Sequence, residues 1–71
     1  MYLVGKGEKM RGIKVARVIK DITQIELAEM LGVTVQTISN WERNEREPSV
    51  TYLKKMSELL DTTIDQLVNT K

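Results

Sequence analysis

Apolar residues recur along this chain at helical spacing in short stretches set apart by polar breaks, and the clearest stretch runs from Gln24 to Arg43. Leu27, Ala28 and Leu31 share one face of a first helix, and Ile38 and Trp41 share one face of a second. Thr23 stands three residues before Glu26, a spacing at which each side chain satisfies the other residue's backbone N–H at a helix start. Ala28 is small where the second helix comes close, and Gly32 follows the last helical position, where a positive φ costs glycine almost nothing. Val33 plugs the corner and Thr34 caps the second helix. The stretch therefore predicts two short helices crossing at a tight turn, a helix-turn-helix over residues 24–43. Val35, Gln36, Ser39, Asn40 and Arg43 are left facing outward.

The flanking pattern extends the helices in both directions. Residues 1–7 hold two glycines and a short apolar run, Tyr2 to Val4, and read as an arm. Helix 1 is predicted over Glu8 to Lys20, with Met10, Ile13, Ala16 and the stem of Lys20 inward and Ile22 closing the corner to helix 2. Val15, Val18, Ile19 and Ile25 fall off these stripes, and are either scattered surface residues or covered by another segment. Asn44 suits a left-handed helix end. After the loop from Glu45 to Pro48, Ser49 caps helix 4, predicted from Val50 to Leu60 with Leu53, Met56, Leu59 and Leu60 inward. Asp61, Thr62 and Thr63 break it, and a short helix 5 carries Ile64, Leu67 and Val68. The expectation is one all-α, five-helix domain over residues 8–69.

Composition narrows the chemistry. A chain of 71 residues supports one domain with a thin core, since a domain this small buries only about 60% of its unfolded surface. It has no cysteine and no histidine, so disulfides, thiolate metal sites and the commonest general base are missing, and no enzyme, metal or cofactor is expected. Glu58, Asp61 and Asp65 read as helix-end charges, not a catalytic set. No apolar run is long enough for a membrane and no export signal is evident, so a cytoplasmic location is expected. The net charge is only +1, but it is segregated: residues 1–20 carry +5, residues 21–47 carry −4, and the remainder balances.

The residues Arg17, TQIELAEMLGVT from Thr23 to Thr34, TISNWER from Thr37 to Arg43 and EPS from Glu47 to Ser49 resemble the lambda-repressor-like, Cro-type helix-turn-helix family, also called the xenobiotic-response-element family. The resemblance covers Met10 to Val68. It implies a five-helix, all-α domain that binds operator DNA as a homodimer. It also implies base contacts from Val35, Gln36 and Asn40, with Ser39 beside them; a residue at Gln24 that touches the DNA backbone and braces the reading helix; an ion pair between Arg17 and Glu42; and a dimer contact through helix 5, here Ile64, Leu67 and Val68. The chain departs from the family where Asp21 replaces the usual glycine after helix 1, where Asn44 replaces another, and where Val15, Val18, Ile19 and Ile25 replace polar residues.

Each of these positions also has a plainer reading. The outward residues of the second helix fit an ordinary solvated face, yet uncharged hydrogen-bonding side chains beside one β-branched residue suit the edges of bases in a major groove, where Gln and Asn pair with adenine and Val35 packs on a thymine methyl. Arg43 and Arg46 answer Glu45 and Glu47 as loop charges, or meet phosphates where the backbone passes. Thr23, Gln24 and Thr34 start helices whose free amides attract phosphate. The expected function is a regulator, most simply a repressor, that binds an inverted-repeat site on double-stranded DNA as a homodimer, with no small-molecule ligand evident. The alternative is a protein-interaction module of the same fold.

Overall fold

A computed structural model describes residues 12–68 of the chain. Five helices follow in order: α1 (Gly12–Ile19), α2 (Gln24–Leu31), α3 (Val35–Glu42), α4 (Val50–Leu59) and α5 (Ile64–Val68). Among the described residues, the all-α, five-helix architecture expected from the pattern is the one observed. The arm at residues 1–7, the expected start of helix 1 at Glu8, the inward position of Met10 and the domain's end at residue 69 lie outside the described residues.

Local chemistry starts and stops each helix. Thr23 is extended (φ −78°, ψ 164°); its hydroxyl accepts from the Glu26 N–H at 3.0 Å while the Glu26 carboxylate accepts from the Thr23 N–H at 2.9 Å. Thr34 and Ser49 are extended caps of α3 and α4, accepting from the amides of Thr37 and Tyr52. The first four helices share one ending: a residue with positive φ, then a backbone N–H that reaches back five residues to a helical carbonyl. Ile22 donates to Arg17 (3.0 Å), Val33 to Ala28 (3.0 Å), Glu45 to Asn40 (2.9 Å) and Thr62 to Ser57 (2.9 Å). The left-handed residues are Asp21 (φ 60°), Gly32 (φ 73°), Asn44 (φ 63°) and Asp61 (φ 54°). Asn and Asp tolerate that region better than other non-glycine residues, so the turns survive the loss of the usual glycines. Ile22 and Val33, one residue past their turns, pack against the core and hold the corners.

The core lies where the five stripes converge. Helix α1 packs on α5 and α3, α2 on α3 and α4, and α4 on α5. Leu27, Ile38 and Met56 are fully buried at its centre, ringed by Ile13, Ala16, Ala28, Leu31, Trp41, Leu53, Leu60 and Leu67. A fully buried side chain of this kind contributes roughly 1.5–3 kcal/mol. Gly12 permits the α1–α5 contact: a Cβ there would stand 1.8 Å from the Gln66 carbonyl oxygen, so any other residue must push the backbones apart.

Three expectations are corrected. Of the two residues expected inward at the end of α4, Leu59 is exposed and only Leu60 enters the core: α4 ends at Leu59, and Leu60, at φ −99° and ψ 3°, stands one turn beyond Met56 on the buried side. The stem of Lys20 does not join the inward stripe, because α1 ends at Ile19 and the left-handed Asp21 swings the chain away; its ammonium lies 3.8 Å from Asp61 on the surface. Leu67, expected at a dimer contact, fills the core of the chain itself against α1, while Ile64 is half-buried and Val68 remains exposed. Val18, Ile19 and Ile25 are exposed and Val15 is half-buried. Among the described residues no helix is long and apolar enough to cross a membrane.

Candidate nucleic-acid interface

Helix α3 divides cleanly into two faces. Ile38, Trp41 and Glu42 are buried, Val35 and Gln36 are exposed, and Ser39 and Asn40 are half-buried beside them. The inner face is anchored at two points. Trp41 lies against Tyr52 of α4, ring centroids 5.4 Å apart and tilted by 48°, an arrangement aromatic pairs favour. The Lys55 ammonium lies over the Tyr52 ring, 5.7 Å from its centroid.

The second anchor is ionic. Glu42 is 7% exposed, and its carboxylate accepts from Arg17 Nε at 2.7 Å and Nη2 at 3.1 Å, a bidentate pair that ties α1 to α3. Arg17 Nη1 donates in addition to the Ile22 carbonyl at 2.8 Å, and Gln24 Nε2 donates to Glu42 Oε1 at 3.0 Å. One carboxylate thus fastens α3 to α1 and to the first residue of α2, and Arg17 and Glu42 share enclosed surroundings, where such bonds are stronger than in water. The Arg17–Glu42 pair expected from the resemblance is present, and Gln24 braces α3 through it. That three-way junction had a partial signal in the sequence; the Trp41–Tyr52 contact had none, because it depends on how α3 and α4 cross, whereas the Arg17 bond to the Ile22 carbonyl is local, five residues apart at the end of α1.

On the outer face the polar side chains are linked to one another. Gln36 Nε2 donates to Asn40 Oδ1 at 2.9 Å, Arg43 Nη2 donates to the same oxygen at 3.2 Å, and the same Nη2 reaches Glu45 at 3.2 Å. The Thr34 and Thr37 hydroxyls lie 2.8 Å apart at the start of the helix. Thr23 and Thr34, at the two helix starts, are exposed, as are Arg43 and Arg46 past the end of α3. Arg46 lines a shallow recess with Thr37, Asn40, Trp41 and Glu47. The expected base-facing and phosphate-facing residues therefore occupy the α2–turn–α3 unit and the loop after it. Spacings of four residues for Gln36–Asn40 and three for Asn40–Arg43 would have revealed their pairing in the sequence.

A family model described as helix-turn-helix, of the Cro/C1 type, matches residues 13–67, more than three quarters of the chain. The chain belongs to this family. It is 40% identical over 60 residues to the HTH-type transcriptional regulator SinR of Bacillus licheniformis, a match covering 83% of this chain and 54% of that protein. It is also 40% identical over 50 residues to the HTH-type transcriptional activator BcrR of Enterococcus faecalis, covering 70% of this chain and 24% of that one. The chain thus spans about half and about a quarter of these two regulators. Among solved structures, a candidate DNA-binding protein from Bacteroides fragilis superposes with a TM-score of 0.77 at 39% identity, over 86% of this chain and 98% of that one. The helix-turn-helix of this family is the α2–turn–α3 unit, and the anchored inner face of α3 is what keeps its outer face in place.

Proposed function

We propose that this chain is a DNA-binding transcription regulator that inserts the outer face of α3 into the major groove of a specific double-stranded site. The observation that carries the reading is the pairing of an outward, uncharged, hydrogen-bonding face, exposed at Val35 and Gln36 and half-buried at Ser39 and Asn40, with an inner face fixed by Trp41 and by the Glu42 junction. A rigid helix presenting amides and hydroxyls is what direct base readout needs. Thr23, Gln24 and Thr34 at the helix starts, and Arg43 and Arg46 beyond α3, meet the phosphates that fix its register. The regulator acts as a repressor by occluding a promoter, from an inverted-repeat site bound by a homodimer.

Salt dependence and mutation together test this. If Arg43 and Arg46 of both subunits sit on phosphates, the logarithm of affinity falls with the logarithm of salt with a slope of about −3.6, at roughly −0.9 per phosphate contact. Gln36→Ala relaxes base preference at one or two positions of the half-site, whereas Arg46→Ala weakens every sequence about equally, since a phosphate contact carries no sequence information. Equal losses from both variants on specific and non-specific DNA would remove Gln36 from the bases. A protein-interaction module is the second reading, favoured by the +1 net charge and by the exposed Val18, Ile19 and Ile25; it requires a flat salt response with any DNA.

A single reading helix covers few base pairs, so binding should need a two-fold dimer with half-sites roughly one helical turn, ~34 Å, apart. With Leu67 committed to its own core, the helix α5 contact rests on Val68 and the exposed edge of Ile64. Sedimentation is expected to show dimer loss in Val68→Asp. Loss only in a chain lacking residues 1–5 would transfer the contact to the arm.

A further inference from the structure

The polarity of the outer face of α3 is set by one residue. An Asn or Gln side chain offers an acceptor on one side and donors on the other, and a Gln–Asn amide pair can form with either amide as the donor. Between Gln36 and Asn40 alone, both arrangements are equivalent. Arg43 removes that equivalence, because a guanidinium only donates: the Asn40 atom 3.2 Å from Arg43 Nη2 must be the carbonyl oxygen Oδ1. Gln36 Nε2 must then donate to that oxygen, at 2.9 Å. Glu45, 3.2 Å from the same Nη2, holds the guanidinium in position. Asn40 Oδ1 is occupied twice, so Asn40 has only its two N–H donors left, whereas Gln36 keeps its Oε1 acceptor and one N–H.

We propose that Arg43, acting through Asn40, is the specificity-determining residue that makes α3 read adenine with Gln36 and guanine with Asn40. The inference rests on the DNA-binding reading above. Gln36 retains the acceptor and donor that match adenine N6 and N7. Asn40, presenting donors alone, matches the two acceptors of guanine, O6 and N7, and faces the N6 donors of adenine unfavourably. Inverting the pair frees Asn40 Oδ1 as an acceptor and occupies one acceptor site of Gln36 Oε1, which removes the distinction between the two positions. Arg43 is a positioning residue here, and the role leaves its Nε and Nη1 donors for a phosphate.

Selection of binding sites from random double-stranded DNA by the full chain, followed by affinities for duplexes carrying A or G at the two positions, decides the matter. The wild-type chain is expected to select adenine at one position and guanine at the other by roughly tenfold each, the scale of one bidentate pairing. Arg43→Ala, at a side chain more than half exposed, should fold with an unchanged thermal midpoint and lose the A/G preference at both positions together. Arg43→Lys, whose ammonium also only donates, should keep the preference while affinity falls. The proposal is overturned if Arg43→Ala lowers affinity for all duplexes by one factor and leaves both preferences intact, or if the wild-type chain selects neither purine at these positions. A wild-type chain that selects no common sequence would overturn the DNA-binding reading itself, and this proposal with it.

Discussion

A Trp41→Ala chain is expected to lose its cooperative thermal transition, or to have it shifted down by more than about 12 °C, with DNA binding lost as a consequence of unfolding. Trp41 is 7% exposed, belongs to the central cluster with Ile38 and Leu53, and rests on Tyr52. Truncating a buried aromatic costs about 3–5 kcal/mol, through lost burial and the cavity left behind. Domains of this size hold total stabilities near the lower end of roughly 5–15 kcal/mol, and each kcal/mol moves the midpoint by about 4–8 °C. Circular dichroism during heating makes the measurement without relying on the chain's single tryptophan. Trp41→Phe, which keeps the ring against Tyr52, should recover most of the loss. An Ala variant with an unchanged midpoint and abolished DNA binding would move Trp41 to the DNA-facing side of α3.

The second large effect is expected at Glu42. Its carboxylate takes two bonds from Arg17 and one from Gln24, in a site where the side chains of Glu42 and Arg17 are 4% and 11% exposed. Glu42→Ala strands the guanidinium charge in that enclosure, and breaking a buried pair from one side costs about 3–5 kcal/mol, against about 0–1 kcal/mol for an exposed pair. The double variant Arg17→Met with Glu42→Leu leaves no charge stranded and should be more stable than Glu42→Ala, even though it has lost both partners. Urea unfolding of the three chains reads the difference. A loss within 1 kcal/mol for Glu42→Ala would mean that water reaches the pair and that α3 is positioned by its apolar contacts alone.

The turns and caps between the helices were legible in the sequence because each is decided within about five residues. Thr23 with Glu26, Thr34 with Thr37, Ser49 with Tyr52 and the left-handed residues Gly32 and Asn44 need only their own neighbours to satisfy the orphan amides and carbonyls of a helix end. The inward stripe of α3 was legible for the same reason, and with it, by subtraction, the outward set that forms the candidate interface. Where the outcome depended on distant helices, sequence spacing left it open. Leu59 and Leu60 were both expected inside, and the direction of the helix end put only Leu60 there. Leu67 is apolar enough for a dimer contact and was claimed by α1, through an approach that Gly12 alone permits. Glu42 and Arg17 stand 25 residues apart, so their pairing, and the arrival of Gln24 at the same carboxylate, exist only once α1, α2 and α3 have packed. Local hydrogen bonds are written in the order of residues. Which of two similar side chains is buried, and which charges meet, is a property of how the helices cross.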